Sequence, residues 1–219
     1  MSDHDDFAFE PVPGLPEQPP KGETLLWQGR PQLWALAREA YALGWFAVYF
    51  AFVVIWRMSV AWTAAEPGQQ VGAVVATGVL YAGLGLIGAA VILGIAYAQA
   101  RTTVYTITTA RVVMRIGAAL PVTLNLPFKQ IENATLGLRK SGVGTIALEL
   151  KGNTRLAYLV LWPHCRPWFM KHPQPALRCI PEAQKISQIL AQAAESRLSR
   201  PEVTRRDDAD ASGTSVPAQ

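Results

Sequence analysis

The side chains best equipped for chemistry cluster between positions 162 and 179. The run Trp162-Pro163-His164-Cys165-Arg166-Pro167-Trp168-Phe169-Met170-Lys171-His172 mixes aromatic rings, two basic groups and two histidines, and Cys179 follows it. Imidazole and thiolate are zinc ligands. The spacing of His164, Cys165, His172 and Cys179 matches no usual structural zinc pattern, and prolines break the segment, so no metal site is expected. Enrichment in aromatic residues and arginine marks the anchors of protein interfaces. The same mixture suits the membrane–water interface, where aromatic rings sit at headgroup level. Three readings of the block stay open: aromatics packed on the end of a folded domain, a partner site formed by Trp162, His164, Arg166, Trp168, Phe169 and Lys171, or a contact with a lipid surface.

Catalytic constellations are absent from the sequence. There is no nucleophile elbow, no P-loop and no pair of carboxylates in an apolar setting. Glu132 and Glu149 fall in strand-like patterns that explain them as solvated charges. His4, His164 and His172 all lie outside the long apolar segments, so pigment ligation within a bilayer is disfavoured, and no C-x-x-C-H haem attachment signal occurs. The expectation is a protein that is not an enzyme and carries no cofactor. A net charge of +4, without a recognition motif or a dense basic run, gives no support to nucleic-acid binding.

The elements that would position these residues begin with two apolar stretches, 40–62 and 71–100, each long enough for a helix to cross a bilayer. The linker between them carries Glu66-Pro67-Gly68, which is turn chemistry. A transmembrane hairpin is predicted. Arg30 and Arg38 precede it, Arg101 and Arg111 follow it, and the linker has no Lys or Arg. The positive-inside rule therefore puts both termini in the cytoplasm. Arg57 sits inside the end of the first span, from which its side chain can snorkel to the interface. Cys165 and Cys179 fall in the cytoplasmic half, where a structural disulfide is unexpected. In the second span Gly78, Ala82, Gly85 and Ala89 share one helical face. Small faces permit close approach of helices in lipid, either to the first span or to a foreign helix.

Residues 1–21, rich in proline and acid, read as a disordered arm, and 199–219 as a disordered tail. Residues 22–39 form a cytoplasmic lead-in whose Leu25-Leu26-Trp27 is predicted as a short strand or a membrane-surface contact. From Thr102 onward the hydrophobic period changes to two. Residues 102–108, 111–116, 122–126, 128–132, 133–138, 145–150 and 155–161 are predicted as strands of an antiparallel meander. Residues 181–198 then read as an amphipathic helix, with Pro181 in its first turn and Ala183, Ile186, Ile189, Leu190, Ala193 and Ala194 along one stripe. The expected class is an α+β membrane protein: a two-helix hairpin, then a strongly bent antiparallel sheet over 101–198 closed by its C-terminal helix.

The phrases YTITTARVVMRIG (105–117), LPFKQIENATL (126–136) and TIALEL (145–150) resemble the bacterial pleckstrin-homology-like (PH-like) domains that follow paired transmembrane helices. With GETLLWQGRP (22–31), VVMRIGAALPVTLNLPFKQIE (112–132) and LWPHCRPWFMKHPQPALRCIP (161–181), the chain is also similar to a family of photosynthetic-complex assembly proteins of purple bacteria. The likeness runs from about position 22 to 194. It implies a multi-pass protein of the bacterial inner, or intracytoplasmic, membrane acting in maturation of the reaction centre and its antenna. It carries no catalytic residues with it. The partners then expected are membrane subunits of those complexes and the anionic membrane surface, with a homodimer a further possibility. A lipid- or headgroup-binding domain in general envelope maintenance is the alternative of a different class.

Overall fold

The computed structural model describes residues 14–15, 18–20, 22–118, 120–152 and 156–199. Most of the predicted arm and nearly all of the predicted tail lie outside these. Leu15 is an exception within the arm, since it is buried in the fold.

Two helices long and apolar enough to cross a membrane dominate one end. Helix α2, Leu43–Ala64, and helix α3, Gln70–Thr102, are slightly displaced from the predicted spans. Neither contains a polar face. Trp45, Phe52, Ile55, Val79, Leu86 and Ile87 are all more than 60% exposed, so the outer faces of the hairpin are uncovered among the described residues. At 1.5 Å per residue α3 is about 50 Å long, well beyond the ~30 Å hydrocarbon core. Its last turns leave the exposed region: Ala96 and Ala100 are buried. A short helix not foreseen in the lead-in, α1 (Leu33–Glu39), covers them with Leu36 and Ala37.

The remaining strands form two antiparallel sheets, not the single bent sheet expected. The first has the order β1-β2-β3-β4, from Leu25–Gly29, Val104–Thr108, Arg111–Ile116 and Val122–Pro127. Leu25-Leu26-Trp27 thus begins a strand, paired with β2 through Trp27 opposite Ile107. The β2–β3 turn closes on Thr108, whose Oγ1 accepts from the backbone N–H groups of Ala110 and Arg111. Glu23 braces it with an ion pair of 2.8 Å to Arg111.

The second sheet has the order β5-β6-β7, from Ile131–Leu138, Gly144–Leu150 and Ala176–Ile180. Residues 128–130 are a single 3-10 turn instead of extended chain. The strand expected over 155–161 does not form. Among the described residues, Tyr158–Leu161 is one helical turn, α4. The free edge of β6 is occupied instead by β7, which pairs Leu177 with Ile146 and Ala176 with Ala147. Without a partner for its backbone, 158–161 satisfies its N–H groups locally, with Leu161 N–H donating to Ala157 O and Trp162 N–H to Tyr158 O.

Helix α5, Ala183–Leu198, starts two residues later than predicted and lays Ala183, Ile186, Leu190 and Ala193 against the sheets. Tyr105, Ile107, Met114, Phe128, Ile146, Leu148 and Leu177 complete that core, each essentially inaccessible to solvent. The architecture is α+β: two helices that could span a membrane, then antiparallel sheets closed by a helix, as in PH-like domains.

Candidate functional site

The end of α3 is joined to the β-domain by a buried polar cluster built from three distant segments. Strand β2 begins directly after α3, which puts Thr103 and Tyr105 at the junction. The 162–172 block folds under them and inserts His164, which is fully buried. Its Nδ1 lies 2.6 Å from Tyr105 Oη. Its Nε2 lies 3.0 Å from Thr103 Oγ1 and 3.4 Å from Gln99 Oε1. The backbone N–H of Arg178 in β7 donates to Tyr105 Oη at 3.3 Å. One proton arrangement satisfies all of these: Tyr105 accepts from Arg178 and donates to His164 Nδ1, and the opposite ring nitrogen donates to Thr103 and Gln99.

Arg178 is itself buried, and its Nη1 donates to Pro163 O at 3.0 Å. Its Nε and the Tyr41 hydroxyl have no hydrogen-bond partner among the described residues. Helix α1 closes the other side. Gln32 N–H donates to Cys179 O at 2.8 Å, and Glu39 pairs with Arg139 in the β5–β6 turn. Trp162 meets Tyr41, just before α2, edge to face at 5.2 Å between ring centroids.

Burial favours the neutral forms of His164, Tyr105 and Cys179. Burial, aided by the Arg178 charge, pushes the His164 imidazole down to about 3. Burial raises the Tyr105 hydroxyl far above its ordinary range, and burial followed by the Glu39 charge pushes the Cys179 thiol up to about 12. Both cysteines are free and buried. His164 has both ring nitrogens engaged within the fold, which leaves none for a metal. Among the described residues no three His, Cys, Asp or Glu side chains are grouped to hold a metal ion.

The His164 environment sets a pH dependence. An unfolded imidazole near 6.5 takes up a proton that the folded one refuses until about 3. This contribution to stability is complete above pH 6.5 and is lost as pH falls through that window, at up to about 1.4 kcal/mol per pH unit. The urea midpoint of the full chain in detergent is expected to be lower at pH 5 than at pH 7. His164→Gln should flatten the difference; the same difference in both proteins would refute the assignment.

The structure divides the block that composition had singled out. His164 and Cys165 are withdrawn from the surface. His164 therefore ties the joint and presents nothing to a partner, contrary to its place among the predicted contact residues. Trp162 is shared between the joint and the surface. Trp168, Phe169 and Lys171 are exposed, while Arg166 stacks on Phe169 with its guanidinium carbon 4.2 Å from the ring centroid. Tyr105, Arg178, Gln99 and Thr103 were missed, since nothing local in sequence ties them to His164. Glu132 and Glu149 are exposed.

The small face of α3 coincides in part with its predicted line. A Cβ added at Gly78 would lie 3.1 Å from Met58 Sδ, one at Gly85 2.8 Å from Phe50 Cδ1, and one at Gly88 2.5 Å from Phe46 Cζ. Gly78 and Gly85 thus face α2, joined by Gly88. Ala82 is exposed, whereas Ala89 is half-buried like those three glycines. Positions 78, 81, 85 and 88 follow the 3.5-residue period of a packed helix pair, which leaves Ala82 off the seam. Arg57 lies two turns from the end of α2, with its guanidinium over the Tyr81 ring at 5.1 Å.

Comparison with known proteins agrees with this architecture. A family model described as bacterial PH domain matches residues 40–194, which takes in both long helices and every strand after β1. An uncharacterised 23.7 kDa protein in the puhA 5′ region of Rhodobacter capsulatus is 48% identical over 216 residues, covering 96% of this chain and 97% of the relative. No solved structure matches the chain. On the extent of the family match, the chain belongs to the bacterial PH domain family.

Proposed function

We propose that the chain is a non-enzymatic, membrane-anchored assembly factor of the PuhB type, acting on the photosynthetic reaction centre and its antenna by binding subunits as they assemble. The near full-length relative in the puhA 5′ region supports a role related to photosynthesis. The observation that carries the mechanism is the buried joint. His164, Tyr105 and Arg178 lock the end of α3 to the β-domain, so an apolar hairpin and a cytoplasmic surface are held in fixed relation. Two weak contacts presented in this way act together, because tethering raises the effective concentration of the second.

In this reading α2 and α3 span the bacterial inner membrane with both termini cytoplasmic, following the arginines that flank them. Reporter fusions at Gly68 and at Gln219 are expected to report opposite compartments; a cytoplasmic signal at Gly68 would end the hairpin reading. Tagged full-length chain, captured from photosynthetically growing cells, is expected to bring down reaction-centre or antenna subunits. Their absence from a capture in which the bait is abundant and correctly inserted would overturn the assembly role.

A further inference from the structure

We propose that the exposed apolar side chains of residues 159–170 form a second membrane contact beside the hairpin, lying in the headgroup region of an anionic bilayer and fixing how the β-domain sits on it. The inference rests on the reading of α2 and α3 as membrane spans.

Leu159 and Trp168 are each 86% exposed, Met170 61%, Val160 52% and Trp162 42%. A concentration of uncovered apolar groups of this kind marks a contact surface. The segment is held firmly from below. Ala176 N–H donates to His164 O, Arg166 N–H donates to Gln174 O, each at 2.9 Å, and Cys165 bridges Pro175. The buried half of the block is therefore a root and the exposed half projects from it. Trp168 holds a left-handed backbone, with φ 68°, a conformation bulky residues seldom adopt. Among the described residues little packing covers its ring to offset that conformation; an external contact would.

Its position and charge select lipid as the occupant. Trp162 meets Tyr41 where the chain enters α2, and His164 bonds Gln99 and Thr103 where it leaves α3. The segment is thus anchored both to the entry of α2, through Trp162, and to the last turn of α3, which runs on past that entry, through His164. No acidic residue occurs between Glu149 and Glu182, whereas Arg166 lies within the projecting stretch and Lys171 directly follows it. Tryptophan with nearby bases is the composition favoured at an anionic interface. A protein interface would accept the same rings, but it would not require them to adjoin both helix ends.

The test uses the full chain carrying Met170→Cys, labelled with a nitroxide; native Cys165 and Cys179 are buried and stay unlabelled in the folded protein. Reconstitution is into phosphatidylcholine vesicles containing phosphatidylglycerol, and accessibility to oxygen and to a water-soluble nickel chelate is read by electron paramagnetic resonance. Val79→Cys on α3 and Lys140→Cys in the β5–β6 turn serve as lipid and water references. The Met170 label is expected to show an oxygen-to-nickel ratio severalfold above that at Lys140, and Trp168→Asp is expected to lower it to the Lys140 value. A Met170 label indistinguishable from Lys140, with Val79 in lipid, overturns the proposal and leaves the hairpin intact. An aqueous Val79 overturns the hairpin reading itself. A Met170 label that is aqueous in vesicles and becomes immobilised only on adding purified reaction-centre complex assigns the surface to protein and also overturns the proposal.

Discussion

Tyr105→Phe is expected to loosen the β-domain from the hairpin while leaving the hairpin inserted. The hydroxyl lost in this variant stands between His164 Nδ1 and the Arg178 backbone N–H. Both groups are buried. Leaving a buried donor or acceptor unpaired costs about 1–3 kcal/mol for each group stranded. The phenyl ring keeps its packing in the core, so the loss reports the hydrogen bonds and not a cavity. Urea unfolding of the purified chain in detergent measures the loss. A combined Tyr105→Phe, His164→Leu variant should be less destabilised than the sum of the single changes, because removing both partners strands fewer groups. In cells, the yield of assembled photosynthetic complex should fall further than the abundance of the variant. A variant with wild-type stability would show that the cluster does not hold the joint. A destabilised variant with full complex yield would show that fixed orientation is not needed for assembly.

How much of this arrangement can be read in advance depends on the range of the signal. The two long helices are legible because an unbroken apolar run needs no tertiary partner to identify it. Strands β2 to β4 are legible because residues such as Thr106, Val112 and Leu124 alternate in sequence along short-range hairpins. Strand β7 is not. Ala176–Ile180 reads ALRCI, in which Arg178 is the one polar side chain, so its residue types do not alternate. Pro173, Pro175 and Pro181 around it read as loop, although a strand at the end of a sheet tolerates proline at its borders. The run Tyr158-Leu159-Val160-Leu161 is the mirror case. Its residue types favour a strand, but the place beside β6 is taken, and Leu159 and Val160 face outward. Composition drew attention to the block containing His164, yet not to its role. That role depends on Gln99, Thr103 and Tyr105, about sixty residues earlier in the chain, and only the fold brings them together.

The same distinction between local pattern and packed geometry decides what should happen at the hairpin seam. Gly85→Leu places a side chain where even a Cβ lies 2.8 Å from the Phe50 ring, and α2 must move away to admit it. Overfilling a packed contact costs about 1–3 kcal/mol, occasionally more. Lipid accepts leucine readily, so the hairpin should still insert. The strain should travel along α3 to Ala96 and Ala100, which are buried against α1 at the joint. Assembled complex is therefore expected to fall in Gly85→Leu at unchanged insertion. Gly83 provides the comparison, since nothing lies within 4 Å of a Cβ added there. Any gain in helix propensity is common to Gly85→Leu and Gly83→Leu, so the difference between them isolates the seam. If the glycines serve only the pairing of α2 with α3, Gly83→Leu should assemble complex normally. If a foreign transmembrane helix docks on the outward face of α3, Gly83→Leu should be the more damaging change, with Gly85→Leu closer to wild type. Measuring membrane insertion, chain abundance and complex yield on both variants separates a seam that shapes the anchor from a face that receives a subunit.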